Sequence, residues 1–252
     1  MNIPEQYIRV FPSYESVFEG DLERCRRHLL PLVSVNLKWL NEEEDEWVHF
    51  VSAKEIYEGS VGQSTADYHT NYTREDTLGF DVTADGKYRF EADWNYFQLE
   101  RKTDPELEQA YADNGADYAA RKLFFEKHGH LYPYASFFDD GAVSEEDLYK
   151  DFINKKTSGW GTDLPEINGV LDDLAFQSDE EQQFIKKYNE SIEEMQKFEQ
   201  TNLLHVPKTA DGETFAYVGR LTGYLFQAYG ADSLYLFYDR ALRKAVVCFE
   251  YT

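Results

Sequence analysis

Basic side chains are scarce in this sequence: 25 lysines and arginines stand against 48 aspartates and glutamates in 252 residues, a formal net charge of −23. A small soluble domain needs a net charge of only about 2 to 8. Such a field repels nucleic acid phosphates and anionic membranes, so neither is an expected partner, and it attracts cationic proteins. An ordinary solvated acidic surface, or adaptation to salt, would give the same number. Cysteine is almost missing. Cys25 and Cys248 form no CxxC pair and no zinc spacing, which leaves two buried free thiols in a reducing compartment, or one long-range disulfide. No apolar run approaches the roughly 18 residues of a membrane span. The opening MNIPEQYIRVFPSYESVFEG lacks a basic region, an apolar core and a small-residue cleavage site, so a cytoplasmic location is expected. GxxxxGK[ST], GxGxxG and GxSxG are all absent, which removes the motif-based routes to nucleotide binding and serine hydrolysis and leaves no cofactor expected.

Aromatic residues, by contrast, are abundant: 18 Phe, 19 Tyr and 4 Trp supply enough apolar surface to fold a chain of this charge. Apolar and β-branched runs predict strands at residues 6–12, 32–40 and 46–52, the last two joined by the acidic stretch NEEED. Asp85-Gly86 predicts a turn. After it, Tyr88, Phe90, Ala92, Trp94 and Tyr96 alternate with polar residues and predict a strand with one buried face. The same TADG turn recurs at residues 209–212.

Helices are predicted between these regions. Asp104-Pro105 opens one, Asn114-Gly115 breaks it, and it resumes to Gly129. Ser144 and Ser178 cap two more, and in the last of these Phe184, Ile185, Tyr188, Ile192, Met195 and Phe198 form a core-facing stripe. Residues 155–169 read as a linker between helical pieces. The order of strands, helices and strands points to one α+β domain over residues 1–252. It would consist of a mainly antiparallel sheet, with a helical segment at about 104–202 set to one side.

Three groups of residues carry possible chemistry. Glu126, His128 and His130 have ExHxH spacing, which could hold a metal, but their place at a helix end favours a role opposite the negative helix terminus. Glu91 and Asp93 would project from one strand face beside Trp94 and Tyr96, near Glu100, as paired carboxylates do in a hydrolase cleft; the solvated face of a half-buried strand gives the same pattern. Two acidic clusters remain, Glu42, Glu43, Glu44, Asp45 and Glu46 in one turn, and Asp139, Asp140, Glu145, Glu146 and Asp147 at a helix entrance. Neither has the DxDxDG order of a calcium loop, and a basic protein partner suits them and the global charge.

The tail predicts a buried hairpin. In SLYLFY, Leu234, Leu236 and Tyr238 alternate with Tyr235 and Phe237; in AVVCFEY, Ala245, Val247 and Phe249 alternate with Val246 and Cys248, so both faces of both strands are apolar. Gly230-Ala231-Asp232-Ser233-Leu234-Tyr235-Leu236-Phe237, with Asp239, Leu242 and the strand KAVVCFEY, resembles the closing hairpin of the bacterial YwqG-like family. That resemblance spans about 25 residues and implies an α+β fold and a link with toxin–immunity loci; it implies no catalytic residue. Charge, missing motifs and abundant Tyr and Trp together lead us to expect a cytoplasmic immunity protein that neutralises a basic toxin. A carboxylate hydrolase around Trp94 is the alternative, and an assembly subunit a third.

Overall fold

The computed structural model describes residues 5–55, 61–129, 131, 146–147, 150, 153–154, 205–227 and 230–251. Its strands form two antiparallel sheets. The first has the order β1 (Ile8–Val10), β2 (Leu29–Asn36), β3 (Trp47–Ala53). Every residue of β2 is buried, as its near-continuous apolar run requires. The acidic stretch after the 3-10 turn Leu37–Trp39 carries the chain from β2 back along β3, so NEEED is a hairpin connection as expected.

The second sheet has the order β5 (Tyr88–Phe90), β4 (Thr77–Val82), β8 (Lys244–Glu250), β7 (Ser233–Asp239), β6 (Ala216–Leu221). The hairpin β7–β8 is therefore interior, and β8 is its middle strand. Its two faces separate as the alternation demands. Leu234, Leu236, Tyr238, Ala245, Val247 and Phe249 join a core shared with Val33, Val35, Val48 and Phe50 of the first sheet. Phe237, Val246 and Cys248 join Phe215 and Tyr217 in a second cluster, partly covered by Tyr72, Val206 and Tyr235. Each side chain so buried contributes about 1.5–3 kcal/mol, which explains why the end of the chain is apolar. Cys25 and Cys248 are buried free thiols, and burial pushes both up to about 12.

Two short helices precede β2. α1 (Tyr14–Val17) is capped by Ser13 and α2 (Leu22–His28) by Asp21, whose carboxylate accepts from the Arg24 amide. The long helix α3 (Pro105–His128) begins at its Asp104 cap with proline in the first turn and stops at Gly129, which takes the left-handed conformation at φ 69°. The expected break at Asn114-Gly115 does not occur. The Asn114 side chain is fully buried and donates to the Lys54 carbonyl at 2.9 Å, so it is spent on tertiary contact instead of competing with the helix backbone. Gly115 admits the Lys54 side chain: a Cβ there would lie 3.2 Å from Nζ.

Other expectations change in detail. The strand expected at residues 6–12 shortens to Ile8–Val10, because Glu5–Tyr7 forms a 3-10 turn. The strand expected to run to Tyr96 ends at Phe90. Asp93 then caps the 3-10 turn Trp94–Tyr96, and a second turn follows at Gln98–Glu100. β4 and α2 were not anticipated. Of the helix expected from Ser144, residues 146, 147, 150, 153 and 154 are helical. The cap at Ser144, the linker 155–169 and the Ser178 helix with its stripe at 184–198 lie outside the described residues.

Candidate functional site

The acidic turn is largely neutralised by its own chain. Asp45 accepts from the Asn36 amide at 2.9 Å and faces Lys38 at 3.7 Å, which together hold its carboxyl below the usual range. Glu44 faces Arg240 at 3.6 Å. Glu46 receives the Tyr238 hydroxyl at 2.6 Å and the Arg243 guanidinium, which also donates to the Val82 carbonyl at 3.2 Å. Glu44 and Glu46 thus tie the β2–β3 connection to the second sheet and Asp45 closes the turn on itself, leaving Glu42 and Glu43 pointing to solvent. In the second cluster Glu146 pairs with Lys150 at 2.9 Å, with Asp147 at 3.9 Å from the same amine. Asp139, Asp140 and Glu145 lie outside the described residues.

The expected hydrolase cleft does not assemble. Glu91 and Asp93 lie beyond the end of β5, so no strand face carries them both. Glu91 accepts from the hydroxyls of Thr70 and Thr73, the latter at 2.9 Å, and from Lys244 Nζ at 3.2 Å. Asp93 is exposed and spends its carboxylate on the amide of Asn95 at 2.8 Å. Tyr96 is fully buried, its hydroxyl donating to the Arg74 carbonyl at 2.8 Å, and Trp94 packs on Phe90 at 4.8 Å between ring centres. Glu91 is thus engaged by three donors and Asp93 by its own turn, and the two do not share a face beside the Trp94 and Tyr96 rings.

Glu126 and His128 occupy the last turn of α3, where an imidazole suits the negative helix end, and His130 lies outside the described residues. Among the described residues no three His, Cys, Asp or Glu side chains converge on a point that could hold a metal ion.

Two features went unnoticed in the sequence. The first is the outer side of α3, where Glu106, Glu108 and Asp113 are exposed beside Ala112, Ala116 and Ala119, with Leu123 53% exposed one turn further on. Among the described residues no cation pairs with these three carboxylates. The signal was available: residues 105–120 contain no lysine or arginine.

The second is a buried polar chain behind the same helix. His28, at the end of α2, places Nε2 2.8 Å from Glu100 Oε1 and Nδ1 3.0 Å from the Tyr111 hydroxyl. That hydroxyl lies 2.9 Å from Glu55 Oε2, which also accepts from the Gln98 amide at 2.8 Å. Phe97 stacks on the imidazole with ring centres 4.4 Å apart. His28 is fully buried and Glu55 nearly so. Burial lowers His28 to about 4, outweighing the pull of Glu100, and raises Glu55 to about 7, outweighing its hydrogen bonds. Arg24 and Arg27 meet Glu100 from outside at 3.3 and 3.2 Å. The four members come from four separate segments, so no local motif announces them.

Comparison of the chain with family models, with characterised proteins and with solved structures gives no match. Among the described residues no helix is long and apolar enough to cross a membrane.

Proposed function

We propose that this chain is an acidic binding protein that captures a basic protein partner, in the particular form of a cytoplasmic immunity protein that neutralises a bacterial toxin. The outer side of α3 carries the reading. Glu106, Glu108 and Asp113 stand exposed with no cationic neighbour in their own stretch of helix. Clustered carboxylates of this kind repel one another, and an approaching cationic surface relieves that repulsion while speeding encounter. The exposed alanines and Leu123 beside them give the apolar stems of lysine and arginine a surface to lie on. Glu42 and Glu43 extend the acidic surface at the β2–β3 turn. Glu44, Asp45 and Glu46 serve mainly to hold that turn, and Glu146, with Asp139, Asp140 and Glu145, belongs to the proposal on charge alone. The YwqG-like resemblance of the closing hairpin points the same way through its association with toxin–immunity loci.

The reading is tested by co-expressing the chain with a small basic protein encoded beside it. A complex should copurify at about 0.05 M salt and dissociate as salt approaches about 0.5 M, where screening shortens the reach of exposed charges to a few ångströms. Absence of a complex, or one indifferent to salt, would count against it.

A further inference from the structure

The buried chain Glu100–His28–Tyr111–Glu55 contains a conflict that one proton resolves. Tyr111 brings a single hydroxyl proton to two neighbours, His28 Nδ1 and Glu55 Oε2. With Glu55 ionised and His28 neutral, the imidazole donates its Nε2–H to Glu100, and Nδ1 and Oε2 are then both acceptors. Tyr111 can serve only one: serving Oε2 leaves Nδ1 buried without a donor, and serving Nδ1 leaves the buried Glu55 carboxylate with the Gln98 amide as its one donor and the Tyr111 oxygen facing it lone pair to lone pair, both costly conditions.

An added proton could sit at either end. On His28 it makes an imidazolium donating at both nitrogens, but Glu55 then remains a buried carboxylate. Its Oε1 has no hydrogen-bond partner among the described residues. On Glu55 Oε2 it donates to the Tyr111 oxygen, Tyr111 donates to Nδ1, and Nε2–H still donates to Glu100. Every link is then satisfied, and Oε1 becomes the carbonyl oxygen of a neutral acid, far cheaper to leave unpaired than a charged one. Glu100, already facing Arg24 and Arg27, has no need of an imidazolium.

We propose that these four side chains form a one-proton latch that ties α3 to the end of β3. In the closed state Glu55 carries the proton and His28 is neutral; when Glu55 Oε2 releases the proton to solvent, the Tyr111 link opens on one side. No other bond changes. The elevation of Glu55 to about 7 places the release near neutrality. The surrounding charges tune it. Arg27 and Lys54 face His28 and oppose its protonation alongside burial, whereas Arg101 and Lys102 face Glu55 and favour its carboxylate. Tyr111 feels Glu55 and Glu100, and burial holds its own proton firmly in place. The latch stands independently of whether the outer side of α3 binds a partner.

The test compares the full chain with Glu55→Gln, whose amide N–H can replace the acid proton toward Tyr111. At about pH 6 the wild type should show a protonated-carboxyl infrared band that is missing in Glu55→Gln, and a neutral His28 with its proton on Nε2 by nitrogen NMR. Between about pH 6 and about pH 8.5, amide exchange in α3, corrected for its intrinsic pH dependence, should speed up about fivefold in the wild type and stay level in Glu55→Gln. An imidazolium at about pH 6, no carboxyl band sensitive to Glu55, or identical exchange profiles in the two proteins would overturn the latch.

Discussion

Replacing one end of the latch at a time should tilt the pH dependence of stability in opposite directions. His28 falls from an ordinary 6.5 to about 4 on folding, so its neutral state stabilises the fold fully above 6.5 and that contribution is lost as pH falls through about 4. Glu55 rises from 4.5 to about 7, so its contribution is complete below 4.5 and is lost as pH rises through about 7. At about 1.4 kcal/mol for each pH unit, each effect amounts to about 3 kcal/mol. Between 4.5 and 6.5 the folded chain holds the proton on Glu55 and the unfolded chain holds it on His28, so the two contributions cancel in the wild type. Substitution unmasks them. Relative to wild type, Glu55→Gln should become more stable by about 3 kcal/mol from pH 4.5 to 7, and His28→Gln less stable by a similar amount from pH 4 to 6.5. Urea unfolding at several pH values measures both differences, and subtracting the wild-type curve removes every other titrating group. Differences that are flat, or that share one sign, would refute the reasoning.

Two further outcomes follow from the packing. Deleting residues 245–252 removes β8 from between β4 and β7 and both of its ladders, so the truncated chain should show no cooperative thermal transition. Gly115→Ala should stabilise the protein by up to about 1 kcal/mol, since alanine is the better helix former and the atom its Cβ meets is the movable end of Lys54; a drop in melting temperature would show that Lys54 cannot yield.

Where residues speak through local periodicity, the fold was legible in the sequence. Leu234, Leu236 and Tyr238 against Tyr235 and Phe237 assigned the two faces of β7 correctly, because a strand buried on both sides leaves no polar alternation to mislead. Asp104, Pro105 and Gly129 marked the limits of α3 because caps are local chemistry. The errors arose where a distant partner overrode a local preference. Asn114-Gly115 looks like a break until Lys54 and its carbonyl are placed against it, and Tyr88 to Tyr96 looks like a strand until Asp93 turns back to cap Asn95. β4 was hidden by Gly79, whose missing side chain makes room for Tyr72 and Glu91, since a Cβ there would lie 2.8 and 2.9 Å from them.

The candidate sites divided along the same line. The acidic turn at 42–46 was visible as composition, but beyond the nearby Lys38 its neutralisation by Arg240 and Arg243 depends on a hairpin nearly 200 residues away. The polar chain needed His28, Glu55, Glu100 and Tyr111 to be brought together from separations of 56 to 83 residues, which no spacing in the sequence encodes.

The most direct test of the functional account is the rate at which the chain associates with the proposed basic partner, sought among the proteins encoded beside it and followed by stopped-flow fluorescence over a range of salt concentrations. Electrostatic steering predicts fast association at low salt, slowing steeply as salt rises. The charge-reversed variant Glu106→Lys, Glu108→Lys, Asp113→Lys should associate at least tenfold more slowly at low salt and lose most of that salt dependence. Equal rates and equal salt slopes for the two proteins would contradict the assignment of α3 as the recognition surface.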